Sequence, residues 1–132
     1  MVQIVRFSGT DEQLYRLVAP LVMDANVLRQ NNNFPFRTGK NFMWFLACEG
    51  THVLGFVPVE YRKSKCVINN YYIEGHDAMV LQTLVDDAIT VVLGEGLALD
   101  AVVLKEDVPV FERLHFAIET NWTRYVRMKL NK

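Results

Sequence analysis

The apolar residues of this chain recur with strand and helix periods in turn. Residues 2–7 (VQIVRF) predict a first strand. Thr10 and Gln13 have the spacing of a capping box, and apolar residues then recur at helical spacing over 14–28. Pro20 lies inside that pattern and has no backbone N–H to donate. We therefore expect a kink or two short helices rather than one straight helix.

A three-stranded meander is predicted next, over 42–48, 52–60 and 66–74. Its first segment (FMWFLAC) is apolar on both faces, which is typical of a central strand that is covered on both sides. The polar pair Asn69 and Asn70 interrupts the third segment. Polar residues midway along an apolar strand favour a bulge, a cleft or a ligand-facing segment. The alternative is a solvent-facing stretch at a sheet edge.

The second half predicts a crossover between parallel strands. Asp77 is a good N-cap for a helix that ends near Gly94, and 97–104 (LALDAVVL) reads as a strand. A helix of this length between two strands forms a right-handed connection and a parallel pair. The chain closes with a short helix and two strands, predicted over 107–115, 117–120 and 122–130.

These elements predict an α+β fold in the order β-α-α-β-β-β-α-β-α-β-β. We expect a mixed, mostly antiparallel twisted sheet of about six or seven strands, with helices on both faces. No repeat or linker divides the sequence, so residues 1–132 are expected to form a single domain.

Composition narrows the class of protein only slightly. The chain has 132 residues, 14 of them Lys or Arg and 15 Asp or Glu, which gives a net charge of −1. We expect no nucleic-acid partner, because such proteins usually carry a basic excess. No apolar run has the length of a membrane helix, so no membrane association is expected. Cys48 and Cys66 form no CxxC pair and the histidines lack metal-ligand spacing, which predicts reduced thiols, no metal and a cytoplasmic location. A monomer or homodimer is expected.

The element order resembles the GNAT superfamily of acyl-CoA-dependent N-acetyltransferases. The local match lies in the C-terminal third, where 110–116 (VFERLHF) and 125–130 (YVRMKL) look like the family's FYEKLGF and Y.MxK ending. The resemblance implies transfer of an acetyl group from acetyl-CoA to an amine of a small molecule or protein. An alternative is a catalytically inactive GNAT-fold protein that acts as a protein-binding or regulatory module.

Two departures from the family pattern bear on this choice. The family holds the CoA pyrophosphate with a Gln/Arg-x-x-Gly-x-Gly/Ala loop, whereas the corresponding segment here has one glycine, Gly75, between Glu74 and Asp77. Asp77 as an N-cap would satisfy the N–H groups that a phosphate needs. The family's frequent tyrosine general acid is replaced here by Phe111.

The resemblance places CoA between the 66–74 and 97–104 strands, with its phosphates near 75–79. It also implies that backbone N–H groups beside the bulge polarise the thioester carbonyl. Whether these two strands diverge, or stay paired and filled by side chains, decides whether a pantetheine arm enters. An antiparallel 97–104 strand would instead favour an unrelated small-molecule binder. The implied cofactor-binding residues are Tyr71, Tyr72, Ile73, Gly75, His76, Asp77, Ala78, Met79 and Phe111.

Acid–base candidates follow from the chemistry of acetyl transfer, because the attacking amine must lose a proton. Glu74 and His76 are candidate bases at the mouth of the expected cleft, and Tyr125 is a candidate acid. Each also has an ordinary structural interpretation: a solvated strand-end carboxylate, a surface residue at a helix start and a sheet aromatic.

Three aromatic residues are candidates for the wall of an acceptor pocket. Phe34 and Phe36 lie in the long loop 29–41, and Trp44 opens the meander. A loop of this length is often a functional lid, although simple mobility is an equal alternative. Core packing is the alternative for the aromatic residues, for Trp44 above all.

Overall fold

The computed structural model describes residues 1–131, which form eight strands and four α-helices. The strands are β1 (Gln3–Ser8), β2 (Phe42–Glu49), β3 (His52–Tyr61), β4 (Lys65–Ile68), β5 (Tyr72–Ile73), β6 (Ala98–Leu104), β7 (Phe116–Asn121) and β8 (Tyr125–Leu130). The helices are α1 (Glu12–Val22), α2 (Ala25–Gln30), α3 (Ala78–Gly94) and α4 (Val108–Arg113).

The strands form one mixed sheet in the order β1-β2-β3-β4-β6-β8-β7, and β5 continues beyond β4 along β3. Every pair is antiparallel except β4 with β6, which are parallel. The predicted fold class, element order and parallel crossover pair are confirmed. The described residues contain eight strands rather than six or seven because the third meander strand is split into β4 and β5. The parallel pair removes the argument for an unrelated small-molecule binder.

Aspartates set the starts of the first two helices. The N-cap of α1 is Asp11, whose carboxylate accepts from the Gln13 N–H at 2.8 Å, so the predicted cap at Thr10 is wrong by one residue. Two helices are present as predicted, but Pro20 stays inside α1. The break follows at Met23, and Asp24 caps α2 through the amides of its first turn.

The two faces of the sheet carry separate cores. Trp44 and Leu46 of β2 pack with Leu14 of α1 on one face, while Phe45 and Ala47 pack in the larger core under α3 and α4 on the other. Successive side chains of a strand point to opposite faces, so a strand covered on both sides is apolar throughout. The expectation of helices on both faces is therefore confirmed.

The last hairpin differs in detail from the prediction. The strands are Phe116–Asn121 and Tyr125–Leu130, so Trp122 lies in the connecting turn instead of opening the last strand. Its side chain is 45% exposed, whereas Val126 and Met128 are buried as the alternation predicts. The exposed indole becomes part of a surface cleft that is described below.

Candidate functional site

The parallel strands β4 and β6 pair over only four residues and then diverge. The last pair is Ile68 with Ala101, beyond which β6 continues to Leu104 without a partner on that side. Between the Val59–Ile68 and Phe56–Tyr72 pairs, β3 has two residues and the opposite segment has three. This extra residue forms a bulge, one of the alternatives that Asn69 and Asn70 left open, and it turns the following segment away from β6. The space between β5 and β6 is called the strand gap below.

The bulge is built from residues that tolerate its geometry. Asn70 has φ of 57°, a left-handed conformation that asparagine adopts more readily than most residues. Pro58 of β3 lies opposite the extra residue, where the ladder is interrupted and a missing N–H is tolerated. Gly55 allows β5 to approach β3, because a Cβ there would lie 2.8 Å from the Tyr72 carbonyl oxygen.

Gln30 of α2 occupies the β5 side of the strand gap. Its side-chain amide donates to the Ile73 carbonyl at 2.9 Å and accepts from the Ile73 N–H at 3.0 Å. These two bonds have the pattern that a neighbouring extended chain would make with the free edge of β5. One primary amide therefore takes the place of a strand partner.

Tyr71 crosses the strand gap from the bulge to β6. Its hydroxyl accepts from the Leu104 N–H at 3.1 Å and donates to the Asp107 carboxylate at 2.6 Å. Burial raises the pKa of Tyr71 well above its usual value, and burial also raises the pKa of Asp107 despite the tyrosine hydrogen bond. Phe111 packs beside Tyr71 with ring centroids 6.0 Å apart and is fully buried.

A third contact closes the gap on the face of α1 and α2. The buried Asn31 donates to the Asn70 side-chain oxygen at 2.8 Å and to the Phe34 carbonyl at 3.1 Å. The Tyr125 hydroxyl lies 2.9 Å from both the backbone and side-chain oxygens of Asn31. The strands thus diverge, as a pantetheine arm requires, but side chains of the chain itself cross the space between them.

A surface cleft of about 340 Å³ lies outside this third contact. We call it the aromatic cleft, and none of its lining residues is acidic. Tyr125 is partly buried there, and its ring centroid is 6.0 Å from that of Phe34. The lining comprises Phe34, Pro35, Arg37, Asn69, Asn70, Val102, Trp122 and Tyr125.

The start of α3 holds the other group of predicted residues. Gly75 and His76 both have positive φ, and the Asp77 carboxylate accepts from the Met79 and Val80 amides at 2.9 and 3.3 Å. Asp77 therefore caps the helix, as predicted, and its oxygen occupies the position that a phosphate oxygen would take. An anionic ligand at these amides would therefore have to displace the Asp77 carboxylate.

The acid–base candidates at this end each lie beside a titratable neighbour. Glu74 lies 3.0 Å from His52 Nε2, and His76 Nδ1 lies 3.9 Å from Glu106. All four side chains are about half exposed. Tyr125, the candidate acid, is in the aromatic cleft instead. The structure therefore separates Tyr125 from the two candidate bases.

The expected acceptor wall is also divided. Phe34 lines the aromatic cleft, whereas Phe36 and Trp44 line a separate apolar cavity of about 210 Å³ beside α1. Both Phe36 and Trp44 pack against Phe56 with ring centroids 5.0 Å apart. The three aromatic residues do not form one wall.

The remaining cofactor candidates lie along the same path. Tyr72 packs against Phe56 at a centroid distance of 5.7 Å, and Ile73 is buried in the core under α3. Ala78 begins α3, and the Met79 side chain is 67% exposed beside Asp77.

Several residues at the site escape prediction from the sequence. Gln30 and Asn31 lie at the end of a short helix, where a polar run reads as loop, and Arg37 and Trp122 lie in connecting segments. The sequence signal that could have marked Gln30 and Asn31 is the polar run from Gln30 to Asn33, because asparagine side chains often hydrogen-bond to irregular backbone. Their partners, Ile73 and Asn70, are distant in sequence, so only the folded chain brings them together.

Two further findings concern the described part of the chain. No group of three or more His, Cys, Asp or Glu side chains within it is arranged to hold a metal ion. Among residues 1–131, no helix has the length and apolar character needed to cross a membrane.

Comparison with solved structures finds this architecture over nearly the whole chain. An acyl-CoA N-acyltransferase from Pseudomonas aeruginosa gives a TM-score of 0.77 at 13% identity, covering 99% of this chain and 100% of that chain. ElaA from Escherichia coli gives 0.76 at 12% identity, with the same coverage. The PaiA N-acetyltransferase from Thermoplasma acidophilum, solved in complex with coenzyme A, gives 0.66 at 13% identity, covering 100% and 99%. No family model and no curated protein sequence matches.

The chain therefore has the GNAT fold, the fold of the acyl-CoA N-acyltransferases. The resemblance first drawn from its element order is confirmed at the level of architecture. Because one fold supports many functions, the activity has to be argued from the strand gap and the surfaces around it.

Proposed function

We propose that the protein transfers an acetyl group from acetyl-CoA to an amine, at the strand gap. The observation that carries this proposal is the divergence of β4 and β6 beyond a one-residue bulge. It leaves the edges of β5 and β6 without strand partners in the middle of the sheet. An extended chain containing amides is a suitable occupant of such edges.

The reaction needs few groups from the protein. The amine nitrogen bonds to the thioester carbonyl carbon, the C–S bond breaks, and the thiolate leaves and takes up the proton that the amine loses. Backbone N–H groups beside the bulge are the proposed donors to the carbonyl oxygen. Glu74 or His76 is the proposed base and Tyr125 the proposed acid, each acting through water or after a side-chain movement.

Gln30 is the residue that an incoming pantetheine arm displaces in this proposal. Its primary amide offers the same donor and acceptor pair as a pantetheine amide, so the Ile73 backbone exchanges one partner for another. The exchange leaves no buried backbone group unsatisfied. Asp77 likewise yields the α3 amides to the diphosphate, or the diphosphate remains outside them.

Two readouts test the proposed function with wild-type protein. Millimolar acetyl-CoA is expected to raise the melting temperature, because a ligand of the native state stabilises it. A panel of amines should then release free CoA thiol at a rate above that of the protein-free control. The protein's own thiols, Cys48 and Cys66, should not add to this signal, because both are buried and burial raises the pKa of Cys66 to about 11. Absence of both stabilisation and thiol release would overturn the proposal.

A second candidate function is a non-catalytic protein-binding module. It is favoured by the Asp77 cap on α3 and by the buried Phe111 at the family's general-acid position. The two candidates differ in one measurement: a binding module retains a stoichiometric protein partner and gives no response to acetyl-CoA. For either function we propose a cytoplasmic location, since Cys48 and Cys66 are free and buried.

A further inference from the structure

The aromatic cleft carries positive charge that no neighbouring acid neutralises. Arg37 lines it, as well as the apolar cavity beside α1, and within the part of the chain that the structure describes no carboxylate oxygen lies within 4 Å of the Arg37 guanidinium. Arg124 directly precedes Tyr125, which also lines the cleft. The cleft therefore has one arginine in its lining, a second next to its lining in the chain, and no anionic lining.

The uncharged part of the lining suits a flat, apolar ligand. Phe34 and Trp122 are 53% and 45% exposed, so both rings are open to a ligand in the cleft. Asn69 of the bulge also lines the cleft. The volume of about 340 Å³ lies at the lower end of the range for small-molecule sites.

We propose that the aromatic cleft binds the acceptor, and that this acceptor is a small amine bearing both an aromatic group and a carboxylate, such as an aromatic amino acid. This inference rests on the proposed function for the identity of the site. Arg37 pairs with the carboxylate in the two-bond geometry that guanidinium groups favour, and Phe34 and Trp122 contact the ring. The amine then faces the bulge, where the thioester carbonyl is expected.

The same charges favour the reactive form of the amine. Nearby cations disfavour a further positive charge, so they lower the pKa of an amine held in the cleft and raise the fraction that is neutral. Glu74 or His76, at the other end of the gap, remains the proposed acceptor of the proton that the amine loses. The charges of the cleft also disfavour polyamines and lysine-rich peptides, which would bring further positive charge.

The experiment measures binding without acetyl-CoA. L-Phenylalanine and L-tryptophan are titrated by calorimetry or ligand-observed NMR against 2-phenylethylamine and tryptamine, which lack the carboxylate, and against spermidine. We expect the amino acids to bind at least about tenfold more tightly than the matching amines, since charge-assisted hydrogen bonds exceed this margin. Equal or tighter binding of the amines or spermidine overturns the inference, and so does the absence of binding by both amino acids.

Substitution of Arg37→Gln provides the residue-level test. Arg37 is exposed, so the variant should melt at the wild-type temperature while losing about tenfold in amino-acid affinity. Arg16→Gln, an equally exposed arginine of α1 outside the cleft, is the matched control and should bind as the wild type does. Unchanged affinity in Arg37→Gln contradicts the proposal. Amino-acid binding without thiol release from acetyl-CoA would uphold this site and refute the proposed transfer.

Discussion

Asp100 of β6 is a buried carboxylate that two neighbouring strands neutralise. Its Oδ2 accepts from Lys65 Nζ at 2.9 Å and from Arg127 Nη2 at 2.8 Å, and the side chain is 2% exposed. Burial raises the pKa of this carboxyl, but the hydrogen bonds from Lys65 and Arg127 outweigh burial and hold it below its usual value. The carboxylate therefore links the three strands on the side of the sheet away from α3.

Asp100→Asn should lower the free energy of unfolding by about 2 kcal/mol, because two partly buried cations lose their counter-ion. In the wild type the folded pKa lies below the unfolded value. The stability that the Asp100 carboxylate contributes is therefore fully present above about pH 4 and is lost as the pH drops through its folded pKa. Urea denaturation at neutral and acid pH should show a weaker acid loss in Asp100→Asn. Asp86→Asn, at an exposed position, is the control; an acid loss in Asp100→Asn equal to that of wild type contradicts this assignment.

His115 has a backbone conformation that favours glycine. It follows the C-cap of α4, Leu114, with φ of 74°, a left-handed conformation that costs an L-residue about 1–2 kcal/mol. His115→Gly should therefore raise the free energy of unfolding by about 0.5–1 kcal/mol, after the larger unfolded-state entropy of glycine is counted. Glu112→Gly, within the right-handed helix, should lower it by about 1 kcal/mol. If chemical denaturation shows that both variants change the free energy of unfolding in the same direction, His115 is not under backbone strain.

At the scale of elements, β5 is a two-residue strand, and Gln30 covers the edge of it that has no strand partner. Gln30→Ala removes two hydrogen bonds and should lower the free energy of unfolding by about 1–2 kcal/mol. It should also tighten binding of both acetyl-CoA and acetyl-pantetheine by up to about tenfold, since neither then has to displace the side chain. Calorimetry measures both affinities. Gln13→Ala is the exposed control, and unchanged or weaker affinities in Gln30→Ala would show that Gln30 does not compete with the ligand.

The start of α3 gives a prediction that separates the phosphates from the pantetheine arm. Asp77→Ser keeps a side-chain cap while removing the negative charge, so stability should change by less than about 0.5 kcal/mol. Its affinity for acetyl-CoA should rise, while its affinity for acetyl-pantetheine, which lacks the phosphates, should not. Asp77→Ala, which loses the cap, should cost about 1 kcal/mol of stability. An equal effect of Asp77→Ser on both ligands places the diphosphate elsewhere.

The periodicity of apolar residues was enough to predict much of the fold from the sequence alone. The parallel crossover, the apolar faces of β2 and the bulge near Asn70 follow from patterns within a few residues of each other. The closing contacts do not, because Gln30 meets Ile73 from 43 residues away and Tyr125 meets Asn31 from 94 residues away. The local periodicity of apolar residues and the propensities of single residues carry no information about such distant pairs. The sequence therefore predicted a cleft but not the side chains that fill it.

At the scale of the whole molecule, the fold is shared with solved structures at 12–13% identity. At that distance the sheet order is preserved while the site residues are free to change. In this chain β4 and β6 diverge, and Gln30 and Tyr71 cover the strand edges that this divergence exposes. The proposed function therefore requires an acyl carrier to enter the strand gap in place of Gln30.

Heteronuclear NMR of nitrogen-labelled protein titrated with acetyl-CoA tests this claim most directly. The resonances of the Gln30 side-chain amide and the Ile73 backbone amide should shift together and saturate with one dissociation constant, because both groups lose their mutual hydrogen bonds. The backbone amides of Leu14 and Val18, on the buried face of α1, should stay unperturbed. An Ile73 amide resonance that does not shift at millimolar acetyl-CoA, or shifts confined to another surface, would show that no acyl carrier enters the strand gap.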